Sequence, residues 1–443
     1  MTAREAAVAI WQAALAAADV RPLVHRALRI EGGALIAGDG RLPMPAGRIV
    51  VVGCGKASAA MARAVEEILG DRIADGFVVV KDGYAAPTRR VRLAEAGHPV
   101  PDSRGEAAAA EILRLVREAG EEDLVLVLIS GGGSALMPAP APGVGLEEKR
   151  AVTRLLLDAG ATIDELNAVR KHLSLIKGGQ LARAAAPARV VSLVLSDVVG
   201  DRLDVVASGP TAADPTTFAD ALEVLARRGV RGRTPASVLR RLEAGRRGEV
   251  EETPKPGDPL FARVANVVIG NNRIVVDAAA DRTRQLGFEP RVLTRTLQGE
   301  ARDVARDLVA RARSLAPPAC LVAGGETTVT VRGGGRGGRC QELALAAALA
   351  LDPGEGIVVL AAGTDGTDGP TDAAGAVVDA GTVARGAAAG RDARQALDDN
   401  DAHGFLSASG DLVVTGPTKT NLLDLYLVLQ PGCSPERRSD PSA

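Results

Sequence analysis

Aromatic residues are scarce in this chain: one Trp, two Tyr and five Phe make up 2% of 443 residues. So few rings can hardly build the stacking platforms that single-stranded nucleic acid requires. Neither sign of charge dominates, since 53 Lys and Arg against 55 Asp and Glu leave a net charge of −2. No general field for nucleic acid or an anionic membrane results. Cys54, Cys320, Cys340 and Cys433 form no CxxC pair and no zinc-finger spacing, so neither a structural zinc nor a disulfide framework is expected. Nowhere do about 18 apolar residues follow one another, which excludes an expected membrane span. The N-terminus carries Arg4, Glu5 and Asp19, lacks a basic signal-peptide start, and reads as an amphipathic helix with Thr2 and Glu5 as its capping box. Cytoplasm is the expected compartment, and reduced thiols suit it.

What is present is average for a folded globular protein: 46% hydrophobic and 24% charged residues. The length suits about three structural units or two larger ones. Short aliphatic runs at 48–52, 76–80, 124–129, 189–195, 265–269, 319–322 and 357–360 are continuous rather than alternating, as in strands buried on both faces. Between them, 57–69, 104–118, 272–286 and 301–310 have helical spacing. Strand, helix, strand, helix means α/β with mostly parallel sheets. A polar stretch at 246–259, with Glu249, Glu251, Glu252, Pro254, Pro256 and Pro259, separates two rounds of this pattern. The domain boundary is placed there, giving domains 1–245 and 260–443. The tail 433–443 is polar, contains proline and reads as frayed.

Open α/β sheets bind ligands at the carboxyl ends of their strands, and four loops there are glycine-rich. Gly53-Cys54-Gly55-Lys56 follows the first strand but fits neither nucleotide fingerprint: Val50 and Ala57 break a Walker A, and Ser58 breaks the Rossmann pattern. A glycine turn feeding a helix with a lysine in its first turn can meet an anion. A tight turn with a solvated lysine accounts for the same residues. Ser130-Gly131-Gly132-Gly133-Ser134 lets backbone approach a ligand closely and adds hydroxyl donors, which suits phosphate or carboxylate. Asp197, in 195–201, lies at a strand's carboxyl end, where a carboxylate can hold Mg²⁺ or accept a proton. Asp365, Asp368 and Asp372, interleaved with glycine and hydroxyls, suit a cation or phosphate edge, or a series of solvated turns. Between these loops, 167–179 carries Arg170, Lys171, His172 and Lys177, either a basic face for an acidic substrate or an ordinary surface.

Taken in order, GCGKA at 53–57, GHPVPD at 97–102, SGGGSAL at 130–136, NAVRKHLSLIKGGQLA at 167–182, LSDVVGD at 195–201, ASGPT at 207–211 and AAGTDGTDGPTDAAG at 361–375 resemble the glycerate 2-kinase family of the MOFRL type. Its members have also carried the name hydroxypyruvate reductase. The resemblance covers roughly residues 5–430. It implies two Rossmann-like domains around an interdomain cleft, and phosphorylation of D-glycerate to 2-phosphoglycerate by ATP with Mg²⁺. It also implies an active-site pair falling on Lys56 and Arg339. Where the family has GGRNQE, this chain has Cys340 in place of Asn, so any hydrogen bond from that amide is lost. Phosphoryl transfer asks mainly for positioning and charge neutralisation. Within the resemblance, Ser130, Gly131, Gly132, Gly133 and Ser134 form a nest for the nucleotide phosphates, Asp197 serves as base, and Asp197 with Asp365 hold Mg²⁺. A homo-oligomer is left open. The alternatives are an NAD(P)H-dependent hydroxypyruvate reductase, which the missing GxGxxG disfavours, and a non-catalytic sugar-acid-binding protein, which has no need of Lys56 with Arg339.

Overall fold

Continuous aliphatic runs become strands covered on both faces. In a computed structural model describing residues 1–432, Val50, Val52, Val125, Val127 and Val190 pack in one apolar cluster with Ile112, Leu115 and Val116 of the helix Ser103–Arg117. Their alternating neighbours Val51, Leu126 and Val191 are equally buried on the opposite face. The tail 433–443 lies outside the described residues.

The chain divides into two compact units, one running Val20–Ile269 and the other joining Met1–Asp19 to Gly270 onward. The first unit opens with a three-stranded antiparallel meander of β1 (Leu28–Glu31), β2 (Ala34–Ala37) and β3 (Gly40–Pro43). A six-stranded sheet follows, built from β4 (Ile49–Cys54), β5 (Ile73–Lys81), β6 (Arg92–Ala96), β7 (Leu124–Ile129), β8 (Arg189–Leu195) and β9 (Val264–Gly270), in the order β6-β5-β4-β7-β8-β9. The pairs β4–β5, β5–β6, β4–β7 and β7–β8 are all parallel. The helices Leu146–Asp158, Ile163–His172, Phe218–Arg227 and Ala236–Arg246 close around their own apolar cluster, which includes Val152, Leu156, Val169, Phe218 and Leu242.

The second unit has a six-stranded sheet of β10 (Glu289–Leu297), β11 (Ala319–Gly325), β12 (Val358–Gly363), β13 (Gly375–Asp379), β14 (Leu412–Val413) and β15 (Asp424–Gln430). Strands β10 and β11 are parallel, and β15 lies antiparallel between β11 and β12, so β10, β11 and β12 share one direction. Both units thus have the expected α/β architecture. The helix Ala3–Ala17 starts with the expected capping box, Thr2 Oγ1 accepting from Glu5 N at 3.2 Å and Glu5 Oε2 from Thr2 N at 2.7 Å. It packs on the helix Asn272–Gln285.

The partition differs from domains at 1–245 and 260–443 in two ways. Residues 1–19 belong with the second unit, and 246–269 stay with the first. The polar stretch is packed rather than linking: Glu252 accepts from His172 Nε2 at 3.1 Å, from Lys255 Nζ at 2.8 Å and from Phe218 N at 2.8 Å, while Thr253 donates to Asp214 at 2.9 Å. Strand β9 then extends the sheet beside β8.

Candidate active site

Strands β5 and β7 lie on opposite sides of β4, so the chain order reverses between β4 and β7 and a crevice opens at their carboxyl ends. Register pairs Cys54 with Ile129 and Ile129 with Val194, bringing the loops after β4, β7 and β8 to one edge. The first two interlock: Lys56 N donates to Gly131 O at 2.9 Å, and Ala57 N to Ser130 Oγ at 3.0 Å. Gly55 has φ +134°, and a Cβ there would stand 2.2 Å from Ser130 Oγ. Glycine is required where these backbones cross. Ser130 is buried and holds the neighbouring loop, with Ser58 Oγ 3.1 Å away, so its hydroxyl serves the scaffold.

Beyond this crossing lies a cavity of about 700 Å³, bordered by His98, Gly132, Ser134, Lys149, Arg170 and Lys177. Gly132 opens the short helix Gly133–Leu136 with φ +84°, and Lys56 Cγ and the His98 ring flank the place where its Cβ would be. Lys177, 1% exposed, donates to Ser134 O at 2.7 Å and Ser134 Oγ at 3.0 Å. Burial and the neighbouring Arg170 pull its pKa down to about 7. Ser134 Oγ in turn lies 2.8 Å from Ser208 Oγ, which donates to Asn167 Oδ1 at 2.9 Å. Ala207 and Ser208 both have positive φ, strained backbone of the kind that gathers at functional sites. Lys149 borders the same cavity from the helix Leu146–Asp158, and burial holds its pKa well below the usual lysine range. Asp197 sits half-buried in the loop after β8.

In the second unit Arg339 is the first residue of the helix Arg339–Ala350. Asp424 grips it bidentately, Nε to Oδ2 at 2.6 Å and Nη2 to Oδ1 at 2.9 Å, and Glu326 adds a contact at 3.0 Å. Burial opposes its charge, but Asp424 outweighs burial and raises the pKa. Asp368 accepts from Cys340 N at 3.2 Å and Gln341 N at 2.8 Å, capping this helix from within the core. Burial, with Asp424 nearby, lifts its pKa to about 6. Cys340 is buried beneath the cap, its thiol pushed well up by burial. Asp365 follows β12, its Oδ1 accepting from Thr367 N at 3.1 Å.

The structure therefore gathers Lys56, Gly131, Gly132, Gly133, Ser134 and Asp197 at one sheet edge of the first unit. Arg339 and Asp365 lie in the second unit. No cluster of three or more metal-ligating side chains occurs among the described residues, and no single helix among them is long and apolar enough to cross a membrane. Sequence reasoning passed over Lys149 and Asp424.

Comparison with known proteins bears on the family. Residues 6–243 match a family described as a domain of unknown function, DUF4147, and residues 319–424 match the MOFRL family. A glycerate 2-kinase from Pyrococcus horikoshii is 42% identical over 97% of this chain and 98% of its own length. The D-glycerate 2-kinase of Thermotoga maritima is 46% identical over 86% of this chain and 90% of its own. A relative from Agrobacterium vitis, named with a qualifier as a hydroxypyruvate reductase, is 44% identical over 97% of this chain and 95% of its own. A crystal structure of glycerate kinase from Thermotoga maritima superposes with a TM-score of 0.84 at 42% identity, covering 96% of this chain and 99% of that one. By sequence, domain order and fold, the chain belongs to the glycerate 2-kinase family of the MOFRL type.

Proposed function

We propose that this protein transfers the γ-phosphoryl group of ATP to the 2-hydroxyl of D-glycerate, giving 2-phospho-D-glycerate and ADP. The observation that carries the reading is the cation-bordered cavity beside the Lys56 turn, at the point where strand order reverses. Its volume of about 700 Å³ suits a nucleotide-sized ligand, and its lysines suit phosphate oxygens. In this reading the loop Ser130 to Ser134 cradles phosphates through its glycine backbone, since the Ser130 hydroxyl is already engaged.

Lys56 stabilises charge on the transferring group, and Arg339, carried by the second unit, is a further candidate catalytic cation. Asp424 keeps the Arg339 fork oriented. Asp197 takes the proton of the 2-hydroxyl as its oxygen attacks phosphorus and the bond to the ADP oxygen breaks. Mg²⁺ typically uses one or two carboxylates and completes its shell with phosphates and water, so a larger protein cluster is not required. Asp197 in the first unit would hold it, Asp365 in the second unit is a further candidate ligand, and bound Mg²⁺ would neutralise phosphate charge.

Purified protein with ATP and Mg²⁺ should release ADP only when D-glycerate is present. The product should feed enolase directly, without phosphoglycerate mutase. NAD(P)H oxidation by hydroxypyruvate with no ADP formed would replace this reading with the reductase.

A further inference from the structure

Lys149 is a charged residue in an apolar position. It shares the buried stripe of its helix with Val152 and Leu156 and is only 6% exposed, yet its Nζ has no hydrogen-bond partner. An ammonium offers three donors, and leaving them unmet away from water is costly. Nearby charges deepen the problem: Lys177, Arg170 and Arg241 all repel it, while Glu106 attracts it. The carboxylate on the cavity wall, Glu147, is paired with Arg150 at 2.6 Å. Arg150 and Arg154 also border the cavity, so its cations outnumber its carboxylates. Without ligand, burial drives the amine toward its neutral form; a bound anion would supply the negative charge that favours the ammonium.

We propose that Lys149 is a substrate-binding residue whose ammonium, with Arg170 and Lys177, holds an oxyanion of the bound substrate. The proposal rests on the kinase reading for the identity of that oxyanion, which comes either from the nucleotide phosphates or from the glycerate carboxylate. The shared chemistry is a compact, multiply accepting group of anionic oxygens. A role in folding alone predicts the opposite behaviour on substitution, because removing an unpaired buried charge relieves the fold, whereas removing a structural tie weakens it.

The test uses the full chain carrying Lys149→Met, with Lys149→Gln as a second variant, and reads thermal melting and calorimetric binding of three probes: tripolyphosphate, a non-hydrolysable ATP analogue and D-glycerate. Without ligand the Met variant should melt at or above the wild-type temperature. Its affinity for at least one probe should fall at least about tenfold, the scale of a lost charge-assisted hydrogen bond. Loss confined to tripolyphosphate and the ATP analogue assigns the oxyanion to the nucleotide, and loss confined to D-glycerate assigns it to the acid. Affinities within twofold of wild type for all three probes would overturn the proposal, whether or not melting changes. A wild-type protein that binds tripolyphosphate through Lys149 but releases no ADP with glycerate would retain the anion site and remove the kinase reading.

Discussion

Lys56 follows a turn whose backbone is fixed on both sides, by its own N–H to Gly131 O and by Ala57 N to Ser130 Oγ. A preorganised cation in such a place is worth roughly 10²-fold in turnover, so Lys56→Ala should lose about that much while melting normally. Lys56→Arg should restore little, because a planar fork does not replace a compact ammonium. Near-normal turnover of either folded variant would remove Lys56 from the machinery. Lys177 carries a pH signature. Burial and Arg170 hold it near 7, whereas an unfolded lysine stays charged to about 10.4. The unfolded chain therefore binds more protons between those values, and stability rises with pH through that window. Lys177→Met should lose its share of the rise in melting temperature from about pH 7 to 10, and an unchanged rise would exonerate Lys177. In the second unit Asp424→Asn would leave the half-buried Arg339 without its bidentate carboxylate, with Glu326 beside it. Losing a hydrogen-bonded charged partner costs roughly 1.5–3 kcal/mol, so melting temperature and turnover should both drop; an unaffected turnover would show that the orientation of Arg339 is immaterial. Lys149 was legible in principle, being a lysine three and seven residues ahead of Val152 and Leu156 on one helical face. Nothing in the sequence distinguished Ser130 as scaffold from Ser134 as cavity wall, because that depends on which hydroxyl faces the crossing backbone.

At the level of elements, strands buried on both faces announced themselves: β4, β7, β8 and β11 all grow from continuous aliphatic runs. Strand β10 did not, since its burial is patchy and Arg291, Thr294 and Arg295 interrupt it. The run Leu425 to Leu429 in β15 meets the same criterion as the others and was passed over. The stretch 246–259 shows why composition misleads: its prolines and glutamates suit a linker, yet Glu252 accepts from the buried His172 across the fold. Limited digestion with a glutamate-specific protease should accordingly spare the bond after Glu252, whose carboxylate accepts from His172 Nε2, Lys255 Nζ and Phe218 N. Early cleavage there would return the segment to the status of a linker.

On the scale of the molecule, the two units differ in how they are encoded. The first is one continuous stretch, Val20–Ile269, while the second takes its first helix from the N-terminus and the rest from Gly270 onward. Residues 20–269 expressed alone should melt cooperatively. Residues 270–432 alone should be much less stable than the same fragment preceded by residues 1–19 on a Gly/Ser linker, because Ile10 and Trp11 are fully buried in this unit. Equal stability of the two fragments would show the helix to be dispensable. Trp11 is the sole tryptophan, so its emission follows the second unit, and in denaturant it can be set against circular dichroism, which follows both. The same division orders events during synthesis. The helix Ala3–Ala17 leaves the ribosome before Val20–Ile269, but its packing partner Asn272–Gln285 is made only after all of that stretch. At about 5–20 residues per second that interval is on the order of ten to fifty seconds. Throughout it, the apolar face of this helix is without its native cover, so a segment made early is among the last to find its place.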